Sequence, residues 1–305
     1  MDKIKLYAFF VLILSVISSC SIEEAKPLAM RKLVIASDFL HEKDARLLGA
    51  FSKEAHIKLE IRHMTADSIS QYLKKTGYNA NIDLVFIRSL MGVKTLEHQS
   101  FQELEPVFLV AQNIQLKPII DHWFVAGVDP FILSYLPDSL DKPRSYRELS
   151  TDYLWTSPNF TSLTVLKAQA KLQLQSLSKK KRKKTPSFKE WSRGLKDHRI
   201  SYVEGDSTAS TQLLLLTYYD YFSNDKLVKS KKRVIIFPKK TYVDYFGFAI
   251  VPQAKHYVFA KRFLSYWNEH AENTRFLNRF GMRPAPQTHQ KKGAYISAKK
   301  ILEAL

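Results

Sequence analysis

Three apolar runs separated by two stretches of helical periodicity confine the front of this chain to a parallel α/β sheet. Leu33-Val34-Ile35-Ala36 reads as a buried strand. Residues 42–55 follow with Ala45, Leu48, Phe51 and Ala55 at spacings of three and four, one face of a helix. Ile57, Leu59 and Ile61 then alternate with Lys58, Glu60 and Arg62, the period of a half-buried strand. Thr65 is placed to cap a helix carrying Ile69, Tyr72 and Leu73, Gly77 to Asn81 is turn chemistry, and Leu84-Val85-Phe86-Ile87 is another buried run. Strands joined through helices pair in parallel, so the first half of the fold class is α/β.

The middle of the chain is less regular. Phe124 to Val128 and Phe131 to Tyr135 read as strand with a break at Pro130. A short extended piece, Tyr153-Leu154-Trp155, precedes a helix over 161–176 and another over 187–195. Ile200 to Val203 and Arg233 to Phe237 read as strands on either side of a helix over Leu213 to Phe222. A further strand is expected over Phe246 to Val251. Tyr257, Ala260, Phe263, Leu264 and Trp267 mark an amphipathic helix, and Gly281 stops the one after it.

The N-terminus carries a different signal. After Lys3 and Lys5, Leu6 to Ile17 is apolar except for Ser15, and Ile17-Ser18-Ser19-Cys20 closes the run. That length suits the apolar region of a secretory signal and is short for a bilayer span. The closing residues resemble a bacterial lipobox, which implies cleavage after residue 19 and lipid on Cys20; an uncleaved anchor, or an ordinary signal with an incidental cysteine, is the alternative. Residues 20–31 then form a polar tether. Cys20 is the only cysteine, so no internal disulfide can staple the fold. The expected location is the bacterial cell envelope, outside the cytoplasm.

The formal charge of +18 points to anionic partners. For an exported lipoprotein these are lipid head groups, polyanions or anionic solutes, and nucleic acid is not expected. Lys179 to Lys184 is either a solvated loop or a contact with such a surface.

In an open parallel sheet a ligand sits beyond the carboxyl ends of the strands, where strand order reverses. With the first three strands ordered 2-1-3, the loops concerned are Ser37 to His41 and Arg88-Ser89. The corresponding turns in the second half are Thr156-Ser157-Pro158-Asn159 and Asp206 to Thr211, with Ser207 and Thr208. Short hydroxyl side chains there serve as helix caps or as donors to an oxyanion.

The order of these pieces resembles the type II periplasmic solute-binding proteins, in their ferric-iron and thiamine-type branch. The residues that carry it are Leu33 to Ala36 before His41-Glu42, Phe51-Ser52-Lys53-Glu54 before Ile57, and Asn81 to Phe86. Tyr218-Tyr219, Gly247 to Val251, Ala260 to Leu264 and Arg283-Pro284-Ala285-Pro286 continue it. The resemblance implies a two-lobed α/β fold, each lobe a mostly parallel sheet flanked by helices, with ligand in the cleft between them. Lobe one would be 32–125 plus 246–305 and lobe two 126–245, crossed near 123–132 and 240–248. It implies a solute-binding, monomeric protein that docks on an ABC-transporter permease.

Within that branch the resemblance marks His41, Tyr218 and Tyr219 as ligands for iron(III), with no resident cofactor required. Ferric ion favours phenolate oxygen. Arg88 stands where the iron branch places a carboxylate, so it would hold an anion that bridges to the metal. The other readings leave His41 at the surface and the two tyrosines flanking a leucine-rich element. A thiamine-like solute would instead stack on Trp155, Tyr242 and Tyr245. A carboxylated or phosphorylated solute would use Arg88, Ser89 and Arg283 with the turns at Ser37, Ser157 and Ser207. The chain has no nucleophile elbow, phosphate-cradling glycine loop or paired-histidine metal motif, so an enzyme is not expected. A surface lipoprotein that kept the fold and lost its ligand is the third class.

Overall fold

The computed structural model describes residues 31–106, 108, 122–157, 160–177, 187–199, 212–229, 232–238, 242–270, 283–284, 300–301 and 304–305. Cys20, Ser207, Thr208, the Lys179 to Lys184 run, the strand expected at Ile200 to Val203 and the helix expected before Gly281 lie outside the described residues.

The front of the chain folds as its periodicity requires. β1 (Lys32–Ser37) pairs in parallel with β2 (Lys58–His63) on one side and β3 (Leu84–Ile87) on the other, in the order β2-β1-β3. The side chains of β1 and β3 sort by parity. Val34, Ala36, Val85 and Ile87 join one apolar layer, whereas Leu33, Ile35, Leu84 and Phe86 join the opposite one. The connections supply the cover. A 3-10 helix (Glu42–Leu48) leads into α1 (Gly49–Ala55), so the helix expected over 42–55 is tightened in its first half. α2 (Ala66–Thr76) starts at Thr65, whose Oγ1 accepts from Ser68 N at 3.2 Å. α3 (Leu90–Thr95) starts at Ser89, directly after β3.

β4 (Phe124–Tyr135) is buried at all twelve positions and runs straight through Pro130. The expected break does not occur. Phe131 N donates to Tyr242 O at 2.9 Å, and ladder bonds to one neighbour use alternate residues, so Pro130 owes β7 (Val243–Ile250) no donor. β4 pairs antiparallel with β7 along Phe124 to Pro130, with a bulge between Val125 and Gly127. It pairs antiparallel with β5 (Leu213–Thr217) along Phe131 to Tyr135, and with the short β6 (Val234–Ile236). β7 also pairs with β3, so β4 and β7 join the β1–β3 sheet to the β5–β6 sheet in a two-lobed α/β architecture. β7 begins three residues earlier than its apolar run suggested. Its Gly247 is required: a Cβ there would sit 2.5 Å from Phe124 O.

The helix expected over Leu213 to Phe222 is a correction. Leu213 to Leu216 is strand, and only α6 (Tyr218–Phe222) is helical. Leu213 and Leu215 face one apolar layer, Leu214 and Leu216 another, and a doubly covered strand shows no alternation in sequence. Beyond it lie α7 (Asp225–Lys229) and α8 (Tyr257–His270). Before it, α4 (Phe160–Ser176) and α5 (Phe188–Asp197) follow the expected spans. Among the described residues of this half, the parallel contacts are the isolated bridges Trp155 to Arg199 and Thr156 to Leu214. β8 (Arg283–Pro284) pairs with β4 at Gly127 and Val128. Among the described residues no helix is long and apolar enough to cross a membrane.

Candidate functional site

The carboxyl ends of β1, β3 and β5 meet at one place. At the end of β1 the fully buried Ser37 turns the chain: its Oγ accepts from Phe39 N and from Leu40 N. Phe39 and Leu40 are thereby buried, and His41 emerges at the surface as the N-cap of the 3-10 helix, its N donating to Asp44 Oδ2 at 3.0 Å. The His41 ring stacks on that of His63 with centroids 4.0 Å apart, and His63 Nδ1 lies 3.1 Å from Leu40 O.

Asp38 and Arg88 tie the β1 and β3 ends together, because Arg88 N donates to Asp38 Oδ1 at 3.0 Å. Burial raises the Asp38 carboxyl above its ordinary pKa, against the pull of Arg88. The Arg88 guanidinium then reaches across to α6. It forms an ion pair with Asp220 and lies over the Tyr219 ring, 4.6 Å from its centroid. Its burial disfavours the charge, but Asp220, Asp129 and Asp38 together hold it protonated, with its pKa raised.

α6 is set by its own cap and by the sheet. Thr217 Oγ1 accepts from Asp220 N at 3.2 Å, and Asp129, inside β4, accepts from Tyr219 N at 3.0 Å. Asp129 is 1% exposed, and burial pushes its pKa up to about 7 despite Arg88. Its cross-strand partner Asp244 accepts from Leu90 N, Tyr245 N and Ser89 Oγ. Burial lifts it to about 6. Each linking strand therefore carries a buried acid that binds the start of a helix, Asp129 for α6 and Asp244 for α3.

The two adjacent tyrosines part company. Tyr219 packs edge-on to Phe39 and donates its hydroxyl to Phe39 O at 3.2 Å. Burial pushes its pKa up to about 12, so the phenol is held as a proton donor. Tyr218 turns the other way, against Phe222 and Phe237. The site thus unites Arg88 and Tyr219 with Ser37 and Ser89 nearby, and leaves Tyr218 in a separate aromatic cluster.

The remaining candidates are elsewhere. Tyr245 is 1% exposed within the main core, and Trp155 is fully buried in the same layer; neither offers a ring face to a solute. Tyr242 packs on Tyr146 and donates to Gln173 Oε1 at 2.7 Å. For two members of the stacking set this is a correction: Trp155 and Tyr245 are core residues, whereas Tyr242 is half-buried against the same core. Ser157 is half-buried next to Thr156, and Arg283 lies on β8. Among the described residues no group of three or more His, Cys, Asp or Glu is placed to hold a metal ion. Asp129, Asp220 and Asp244 were missed at the sequence level. Asp129 and Asp244 had a legible signal, a lone acid inside an otherwise apolar strand, which needs a buried partner.

A two-lobed sheet of this order, with groups from both sides meeting at strand ends, defines the periplasmic-binding-protein fold. The comparisons agree. The chain superposes on the Trichodesmium protein FutA (IdiA) in complex with iron and citrate with a TM-score of 0.71. Identity is 14%, over 89% of this chain and 95% of that one. Ferric iron-binding protein A of Mannheimia haemolytica in an open conformation gives 0.71 at 14% identity over 90% and 95%. Iron-bound HitA from Pseudomonas aeruginosa gives 0.69 at 16% over 90% and 96%. Identities this low establish the fold alone. Neither a family model nor a curated protein matches the chain in sequence.

Proposed function

We propose that this chain is an extracytoplasmic solute-binding lipoprotein of an ABC importer. In this reading residues 1–19 are the signal peptide, Cys20 carries the lipid and 20–31 are the tether. Lobe one is 32–125 plus 246–305 and lobe two 126–245. The lobes close on a solute, and the closed monomer docks on a permease. It binds and releases without turnover. The observation that carries the reading is the meeting of Asp38 and Arg88 with Tyr219 and Asp220 across the two sides of the β4–β7 link.

The donor set also points to the cargo. The charges of Asp38, Asp129 and Asp220 all bear on the Arg88 guanidinium, and the Tyr219 ring lies against it with its hydroxyl on Phe39 O. A free anion would sit among three carboxylates and compete with Asp220 for Arg88. A ferric chelate answers both needs: its metal would take the Tyr219 phenolate, and a chelate carboxylate suits Arg88. Ferric iron bound as a chelate is therefore the proposed solute, with Tyr219 and His41 its protein contacts. Loading with ferric citrate should give a visible tyrosinate-to-iron absorption that Tyr219→Phe abolishes and Tyr218→Phe leaves in place. Colourless protein after loading rejects iron. Native mass spectrometry of gently purified protein then tests the broader role, since a bound small molecule of any kind supports it.

A second reading has its own support. Arg88 is already paired with Asp220 and Tyr218 is turned aside, as expected of a surface lipoprotein that has lost its ligand. Absence of both colour and any co-purified solute would favour it. In either case Cys20→Ser should release the protein from membranes even in high salt, because a buried acyl chain contributes roughly 0.8 kcal/mol per methylene.

A further inference from the structure

We infer that Arg88 and Asp220 form a latch that holds the two lobes together before any solute is bound, and that a solute has to displace it. The inference rests on the lobe division proposed above. Each half of the latch is anchored on its own side. Arg88 follows β3 directly, and its backbone is held by Asp38 from the loop after β1. Asp220 sits in the first turn of α6, its N bound by the Thr217 cap, and the preceding residue is bound by Asp129. The pair joins residues 132 positions apart, so nothing local in the chain enforces it.

Two more contacts cross at the same point. Tyr219 presents its ring to the guanidinium and its hydroxyl to Phe39 O. Both latch side chains are mostly buried, at 16% and 14% exposure, so dissolved salt screens them little. The latch therefore acts at physiological ionic strength, unlike a pair of surface charges.

Its consequence is selective. Opening separates Arg88 from Asp220, and a solute recovers that lost pairing most fully if it offers an acceptor to Arg88 and a cation or donor to Asp220. A solute that offers both kinds of group therefore recovers more than one that offers a single kind of charge. The latch also lowers apparent affinity by the fraction of molecules that are open, so weak solutes do not hold the cleft.

The test is solute-free. Small-angle scattering of the Cys20→Ser chain should give a larger radius of gyration for Cys20→Ser/Asp220→Asn, and a smaller shift in the same direction for Cys20→Ser/Tyr219→Phe. Cooperative melting confirms that each is folded. An unchanged radius of gyration in both overturns the latch. Should Asp220→Asn fail to fold, Arg88→Lys asks the same question, because an ammonium keeps the charge but not the fork and the stacking. A shift toward the open form supports the latch, and unchanged scattering rejects it. Neither outcome depends on a bound solute. A failed latch leaves the solute-binding proposal standing, and an absent solute leaves the latch standing.

Discussion

The segment from β1 to β3 and the segment from β5 to α6 contribute facing halves of one site, yet they are built by different rules. In the first, every element is set within about a dozen residues: alternation in β2, the Thr65 cap on α2, the turn at Gly77. In the second, four leucines in a row carry no period, and their strand conformation follows from what covers them. Layers on both faces of β5 and the β4 ladder along one edge turn an ambiguous apolar run into a strand. Local pattern is thus a sound guide where one face of an element meets water, and a poor one where both are buried.

The sharpest way to break this comparison is to truncate the leucines one at a time. Each of Leu213, Leu214, Leu215 and Leu216 is at most 1% exposed. Each Leu→Ala change should therefore cost about 2–5 kcal/mol in denaturant unfolding. A helix would turn at least one of the four outward, so a neutral substitution among them would refute the strand. Next in size is the β4–β7 link. Gly247→Ala should destabilise by about 1–3 kcal/mol, because the added methyl meets a backbone oxygen that cannot rotate away.

A smaller, pH-dependent effect distinguishes the link from the locally built segment. Burial raises Asp244 from 3.8 to about 6, so between those values the folded protein keeps a proton that the unfolded chain releases. The stability it contributes is full below pH 3.8 and is lost as pH rises through about 6. Asp244→Asn should therefore gain thermal stability relative to the parent as pH rises across that window. A melting difference independent of pH would show that Asp244 is not the titrating group. Smallest is the local cap: Thr65→Ala should cost about 1 kcal/mol and leave the site unchanged, because it removes one bond to the first turn of α2. A loss well above that would mean the front segment depends on long-range packing as heavily as β5 does.

Much of the site's position was legible in the sequence, and little of its wiring was. The alternation of strand and helix pointed to a parallel sheet, and on the assumed order 2-1-3, which is the order found, the loops at Ser37 and Arg88 lie at the switch point. It could not show that Arg88 already has a partner, because Asp220 lies far along the chain, near the end of a stretch expected to be one continuous helix. Tyr218 and Tyr219 looked equivalent as neighbours. Starting a helix at Thr217 sent one toward Phe39 and the other toward Phe237. Tyr245 and Trp155 looked like stacking surfaces because aromatic character is visible in sequence and burial is not.

By itself, then, the sequence determined the α/β class, the parallel front sheet, its caps and turns, and the absence of any internal disulfide. These depend on periods of two and of three to four residues and on a residue count, all short-range properties of the chain. Tertiary structure decided that Leu213 to Leu216 is strand, that β4 passes Pro130 unbroken, and that Arg88 pairs with Asp220, 132 positions further along the chain. Those outcomes depend on which surfaces close over a segment and which distant charge comes within reach. Burial and long-range pairing exist only once the chain has folded.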